Sequence, residues 1–292
     1  MKASKGEKLF YAVNNIFLLI IALLCLMPFL NIVAQSFSGT SAVASGNVFI
    51  WPVGFNFSSY EIFFNNARAF TAIRNSIIIT VVSVISQIIF TTLCAYPLSR
   101  RYFIGKKQFT LFIVFTMMFS GGIIPFFLLL RFLGFINSYA AIWIPFLVNT
   151  FYMLIMRTYF EGLPEELMEA SEIDGCGEWR KLFHIVIPLS KAVYASIILF
   201  LTVNSWNAFT GILMFIQDSA KHNLPVMINQ MTNNLRFMQD IPESERQLVL
   251  QNITPESVRA AGVVILILPM IIIYPFLQRY FVKGVTLGAV KG

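Results

Sequence analysis

The densest group of ionisable side chains lies between residues 161 and 178, in EGLPEELMEASEIDGCGE, which holds seven of the chain's 14 carboxylates. Carboxylates at this density can serve chemistry or can meet basic groups on another protein, and their companions decide which. The two histidines, His184 and His222, belong to no H-E-x-x-H pattern, so zinc hydrolysis is not indicated, and both read as surface or interface residues. No G-x-x-x-x-G-K-[ST] loop is present to cradle the phosphates of ATP. Cys25, Cys94 and Cys176 lie far apart without C-x-x-C or metal spacing, and two of them fall in apolar runs, where a thiol is a small buried hydrophobe. The residues assign no catalytic step and no metal.

The acidic segment has its own local design. Pro164 suits the first turn of a helix, Glu165 and Glu166 sit at the positive end of its dipole, and Gly175 is a natural stop, which predicts about three turns over residues 165–174. A second short amphipathic piece follows over 177–187, with Trp179, Phe183 and Ile187 at helical spacing, ended by Pro188. Together they form a helix-turn-helix bracket.

The surroundings say where such a bracket must stand. Of 292 residues 57% are hydrophobic and 12% charged, with a mean hydropathy of +0.74, too apolar for a soluble surface. An ion at the centre of a bilayer costs at least about 2.5–3.5 kcal/mol, so charge-free stretches mark the spans. The charge-free stretches are 9–60, 75–99, 108–130, 132–156, 192–217 and 260–278, and the spans placed on them lie at about 9–34, 75–98, 108–130, 137–157, 192–216 and 260–279, each long enough for a hydrocarbon core of about 30 Å. The runs do not alternate as barrel strands would, so the fold class is an all-α polytopic membrane protein with six transmembrane helices. Lys and Arg fall unevenly on the connections, 14 of 21 on the side that holds both termini and the bracket. By the positive-inside bias that side is cytoplasmic, and the net charge of +7 reports orientation rather than nucleic acid. The bracket then fills a cytoplasmic segment, 161–189, while 35–72 and 217–259 are extracellular loops. The first carries a short helix near residues 59–66, and the second is too long for a simple turn.

The bracket resembles the cytoplasmic signature of the transmembrane subunits of bacterial binding-protein-dependent ATP-binding-cassette importers, which has the form E-A-A, D-G, I-x-L-P. The chain reads Glu169-Ala170-Ser171, Asp174-Gly175-Cys176 and Ile185-Val186-Ile187-Pro188, with Ser171 and Ile187 as conservative departures. The tail from Phe281 through Val285 and Gly288 to Lys291 is similar to that of maltose-type and alginate-type permeases. Ser205-Trp206-Asn207-Ala208-Phe209 is similar to their W-N-E-F pattern, with Ala208 in place of the acid. The resemblance implies a type I ABC importer permease fold in the bacterial plasma membrane. It implies that Glu169, Ala170, Ser171, Asp174, Gly175, Ile185 and Pro188 couple the chain to an ATPase, and that Gly288 and Lys291 reach towards it. It implies as partners a second permease, normally a different chain, two ATP-binding cassette subunits and a solute-binding protein. The chain would bind no cofactor, ATP and Mg being used by the cassettes.

A solute path needs polar groups at membrane depth, and those present are neutral: Gln87, Asn149, Tyr152, Asn204, Trp206 and Asn207. Amides and aromatic rings suit a hydroxyl-rich solute such as an oligosaccharide, although asparagines equally serve as glue between helices. A secondary transporter would show ions at membrane depth, and none is found. A membrane scaffold whose acidic segment merely docks a partner is the other reading.

Overall fold

In the computed structural model residues 5–119, 121–239 and 254–289 are described, with side-chain surroundings for 6–119, 121–235 and 254–275. Every regular element among them is helical. Three helices are long and apolar enough to cross a membrane: α1 (Lys5–Ser36), α4 (Ala69–Ser99) and α15 (Pro255–Ala289). No residue in the apolar stretch of α1 is buried within the chain. A helix apolar on every side and unburied is solvated by lipid, where its peptide groups are satisfied internally. Pro28, Pro97, Pro269 and Pro275 all sit inside continuous helices.

Three further pairs complete six spans when each is taken as one bent unit. Helix α5 (Lys106–Met118) meets α6 (Ile123–Phe132) at 112°. Helix α7 (Ala140–Trp143), with the 3-10 turn Ile144–Phe146, meets α8 (Thr150–Glu161) at 41°. The stretch Glu178–Leu189 meets α12 (Lys191–Trp206) at 79°.

These breaks fall within three of the six apolar stretches. The stretch 108–130 is split beside Gly121 and Gly122, the latter at φ +84°, a backbone conformation that ends a helix and that glycine adopts freely. In 137–157 the chain restarts at Asn149, whose side chain accepts from the amides of Phe151 and Tyr152. The stretch 192–216 stops at Trp206: Asn207 turns its amide back to the Val203 carbonyl, and a separate helix α13 (Thr210–Phe215) follows. Conversely, α4 and α15 run beyond 75–98 and 260–279, because absence of charge marks lipid depth, not the end of backbone hydrogen bonding.

The chain divides into two compact units, each with its own packing. In Met1–Phe70 with Met227–Leu268, the end of α1 holds the segment after it. Asn31 donates to the carbonyls of Val48 and Phe49, both at 2.8 Å, and Ser36 pairs with the Tyr60 hydroxyl. Between them lie α2 (Thr40–Ala44) and α3 (Ser58–Asn65), with Phe37, Phe55, Phe57 and Tyr60 packed ring on ring. In Thr71–Val226 with Pro269–Gly292, a polar knot secures the start of α4. Asn75 donates to the carbonyls of Ala220 and His222, the Ser76 hydroxyl accepts from the Leu224 amide, and Tyr139 donates to the Lys221 carbonyl. His222 is therefore buried in this knot with a ring nitrogen 3.0 Å from the Ile216 carbonyl, not a surface residue, whereas His184 is exposed.

Helix α14 (Leu224–Gln239) packs tightly on α15 at Gly262, where an added Cβ would stand 2.9–3.1 Å from three side-chain carbons of Ile228. Gly262→Ala should destabilise the protein by about 1–3 kcal/mol through overpacking. Combination with Ile228→Ala should lose less than the sum of the single changes, read by thermal unfolding in detergent.

Candidate functional site

The bracket is built on the larger core of the second unit. Helix α8 ends at Glu161, and Pro164 leads into α9 (Glu165–Ile173), whose first turn carries Glu165 and Glu166 at the positive dipole end. Gly175, at φ +71°, ends α9 in a Schellman turn: its amide donates to Glu172 and that of Cys176 to Ser171, each at 2.9 Å. A side chain on a left-handed residue is strained, so the turn needs glycine although nothing lies within 4 Å of where a Cβ would be.

The second arm differs from expectation. Helix α10 (Glu178–Lys181) widens into a π turn, Leu182–Val186, and continues as α11 (Ile187–Leu189), so Pro188 lies inside the arm. The ring of a proline clashes with the carbonyl four residues back in an α-turn, and the wider π turn relieves that clash. The direction changes only after Ser190.

Both arms drive apolar side chains into one core. Met168 from α9 and Leu182 and Val186 from the second arm join Ala95, Tyr96 and Leu98 of α4, Met153, Met156 and Phe160 of α8, and Val193, Ile197 and Leu201 of α12. Ser171 is buried with its hydroxyl on the Met168 carbonyl, and Ile185 packs at the edge of this core. The opposite face is open. Glu169, Ala170, Asp174, Gly175 and Pro188 are exposed, beside Leu167, Ile173, and the stacked rings of Trp179 and Phe183.

Charge separates along the same line. Four of the seven carboxylates are spent inside the unit. Glu165 meets Arg101 at 2.8 Å, Glu161 meets Lys106 and Arg157, and Lys181 holds both Glu172 (2.6 Å) and Glu178 (2.9 Å). Glu178 also accepts from the hydroxyls of Tyr96 and Tyr102. Burial opposes ionisation of Glu178, but the Lys181 ammonium and the two hydroxyls outweigh it and hold the carboxyl below its usual range. Burial likewise opposes the charge on Lys181, and Glu172 and Glu178 outweigh it and hold the ammonium above its usual range. Burial, followed by its bond to Glu178, pushes the Tyr102 hydroxyl up to about 12. Glu166, Glu169 and Asp174 have no partner among the described residues. Sequence reading singled out the exposed motif but missed Lys181, Tyr96 and Tyr102, since nothing in their spacing marks them as meeting.

The polar residues proposed for a solute path each have a local setting. Asn149 caps α8 and Asn207 caps α12, both exposed. Tyr152 stacks on Phe200 at 6.3 Å, Asn204 is exposed, Gln87 is buried on α4, and Trp206 is buried, lining a cavity of about 440 Å³ with Thr80, Thr202 and Met270. Of the tail residues, Gly288 is described only as helical backbone and Lys291 lies outside the described residues.

Residues 87–287, which include the bracket, match the family described as "binding-protein-dependent transport system inner membrane component". The chain belongs to this family. It is 36% identical to Protein LplC of Bacillus subtilis, over all of this chain and 98% of that one. It is 35% identical to the polygalacturonan/rhamnogalacturonan transport system permease protein YtcP of the same organism, over 94% of this chain and 96% of that one. Its structure matches a chain of a bacterial ABC transporter involved in the import of the acidic polysaccharide alginate, with a TM-score of 0.85 and 34% identity, over 96% of this chain and 99% of that one. The protein is a multi-pass inner-membrane permease subunit of an ATP-binding-cassette importer, a membrane component rather than the enzyme that hydrolyses ATP. Its family works with ATPase and solute-binding partners.

Gly175→Val should cost about 1–2 kcal/mol of local stability, with Gly175→Asn milder because Asn tolerates the left-handed conformation; hydrogen exchange across 165–181 would rank the three proteins. The Lys181 cluster fixes a pH window. The depressed Glu178 stabilises the fold above its ordinary pKa of 4.5 and loses that contribution as pH falls below it, while the raised Lys181 contributes below 10.5 and loses it above. Protection of 165–181, corrected for intrinsic exchange, should therefore be flat from about pH 6 to 9 and fall on acidification below the carboxylate range.

Proposed function

We propose that the chain forms half of the translocation pathway for an oligosaccharide, and that the exposed face of the bracket is the surface through which a cassette ATPase drives it. The observation that carries this reading is the division of the acidic segment. Four carboxylates are bound within the unit, while Glu166, Glu169 and Asp174 stand unpaired among the described residues, beside exposed Leu167, Ile173 and Trp179. Unpaired anions bordering an apolar patch suit a partner groove that offers basic groups around a hydrophobic floor. Glu169, Ala170, Ser171, Asp174, Gly175, Ile185 and Pro188 are the residues of that coupling surface, Ser171 and Ile185 acting from its buried side.

A saccharide as solute is supported by the names of the relatives and by the neutral polar groups of the spans, Gln87, Asn204 and Trp206 among them. With one solute path shared between two chains, a second and different permease completes it, two cassettes bind ATP with Mg, and a binding protein delivers the solute. The Lys- and Arg-rich connections, the bracket and both termini face the cytoplasm. Cassette closure on ATP pulls α9, the spans open outward to receive solute, and hydrolysis reverses the movement; ligand and nucleotide act through their different affinities for the two states.

In vesicles that hold the complete transporter, uptake of a labelled oligosaccharide should require both the binding protein and ATP, and solute-loaded binding protein should stimulate hydrolysis. Uptake by the permease pair without nucleotide would overturn the reading.

A further inference from the structure

The two arms of the bracket meet at an exposed turn closed only by backbone hydrogen bonds. Gly175 has open space around it, and Asp174, Gly175 and Gly177 are exposed, so no side chain packs across this link from the outer face. Nor does α9 lie flush against the end of α4. A cavity of about 610 Å³ lies between them, lined among others by Tyr96, Arg100, Tyr102, Met168, Glu172 and Lys181, beside the core contact of Met168 and the Arg101–Glu165 pair.

Across this cavity runs a chain of polar contacts with Lys181 at its centre, and it joins both arms to the end of α4 at once. Its side chain is only 4% exposed, and its ammonium reaches Glu172 on α9 at 2.6 Å and Glu178 on its own arm at 2.9 Å. The other oxygen of Glu178 takes the hydroxyls of Tyr96 at 2.8 Å and Tyr102 at 2.5 Å. The end of α4 is held from its other side as well. Arg100 lies over the Tyr96 ring at 5.1 Å and donates to the Phe160 carbonyl of α8 at 2.9 Å. A buried ammonium is tolerated only with its partners in place, so the contacts stand or fall as a group. A compact ammonium with three donors can hold two carboxylates on different elements at once.

We propose that Lys181 is a positioning residue for energy coupling: it locks the two arms of the bracket into one body and, through Glu178, Tyr96 and Tyr102, ties that body to the end of α4. Movement imposed on α9 then reaches α4 instead of being absorbed at Gly175. This rests on the coupling reading given above, and it adds the path by which displacement enters the spans. The motif residues on the exposed face meet the ATPase; Lys181, facing inward, touches neither nucleotide nor solute.

The test uses the complete transporter in vesicles with its binding protein, measuring oligosaccharide moved per ATP hydrolysed. Lys181→Met should leave co-purification of the ATPase and ATP hydrolysis largely intact while the transport-to-hydrolysis ratio falls roughly tenfold or more, the scale of losing hydrogen bonds to a charged group. Lys181→Arg should restore much of the ratio, since Arg keeps the charge and the donors. Glu178→Gln and Tyr102→Phe, milder changes in the same chain of contacts, should lower the ratio in the same direction. Unchanged ratios in Lys181→Met and Glu178→Gln would overturn the proposal; if Lys181→Met fails to assemble, an unchanged ratio in both Glu178→Gln and Tyr102→Phe would do so. Nucleotide-independent uptake by the unaltered transporter would instead remove the coupling reading on which the proposal stands.

Discussion

Hydrocarbon offers a peptide group no hydrogen-bonding partner, and this constraint shapes nearly everything in the chain. It makes each membrane crossing a helix, confines broken backbone to places where side chains can repair it, and pushes charge to the ends. The repairs are visible one by one. Asn149 covers the first amides of α8 and Asn207 turns back to a carbonyl of α12. Asn75 and Ser76 satisfy the backbone of the segment that follows α13. Two neutral polar residues that look like a solute path in the sequence, Asn149 and Asn207, thus also end helices.

The bracket stands where this constraint relaxes. Its inner face belongs to the core shared by α4, α8 and α12, and its outer face carries charge and exposed rings. One short segment therefore has two jobs separated by side: Met168, Leu182 and Val186 hold it, and Glu169, Asp174 and their neighbours are left for a partner. The ion pairs follow the same division, since those facing the unit are paired and those facing away are not. An element embedded in a packed core moves only with that core, which is the property a coupling lever needs.

Much of this was legible in the residues. The charge-free stretches located the apolar helices, because an ion at membrane depth is costly whatever the fold. Pro164, the acidic first turn and Gly175 marked α9 because they act on the backbone locally, and the structure ends that helix with Gly175 at φ +71°. The breaks were harder to read. Gly121 and Gly122 were visible as residues, but whether a glycine pair bends a membrane helix depends on neighbours able to satisfy the freed backbone. Pro188 was read as a stop because an α-turn cannot hold it, and a π turn, which spacing does not reveal, let the arm continue.

The sequence by itself determined the solvent, the helical class, the family and the two-armed motif, since composition, local backbone preference and a short pattern of residues carry each of these without reference to distant positions. Only the tertiary structure decided that Lys181 joins Glu172 to Glu178, that Tyr96 and Tyr102 reach the same carboxylate from the end of α4, and that His222 is buried in a knot with Asn75. Those contacts link residues up to 147 positions apart. Their partners are chosen by how helices pack, and no local pattern records that choice.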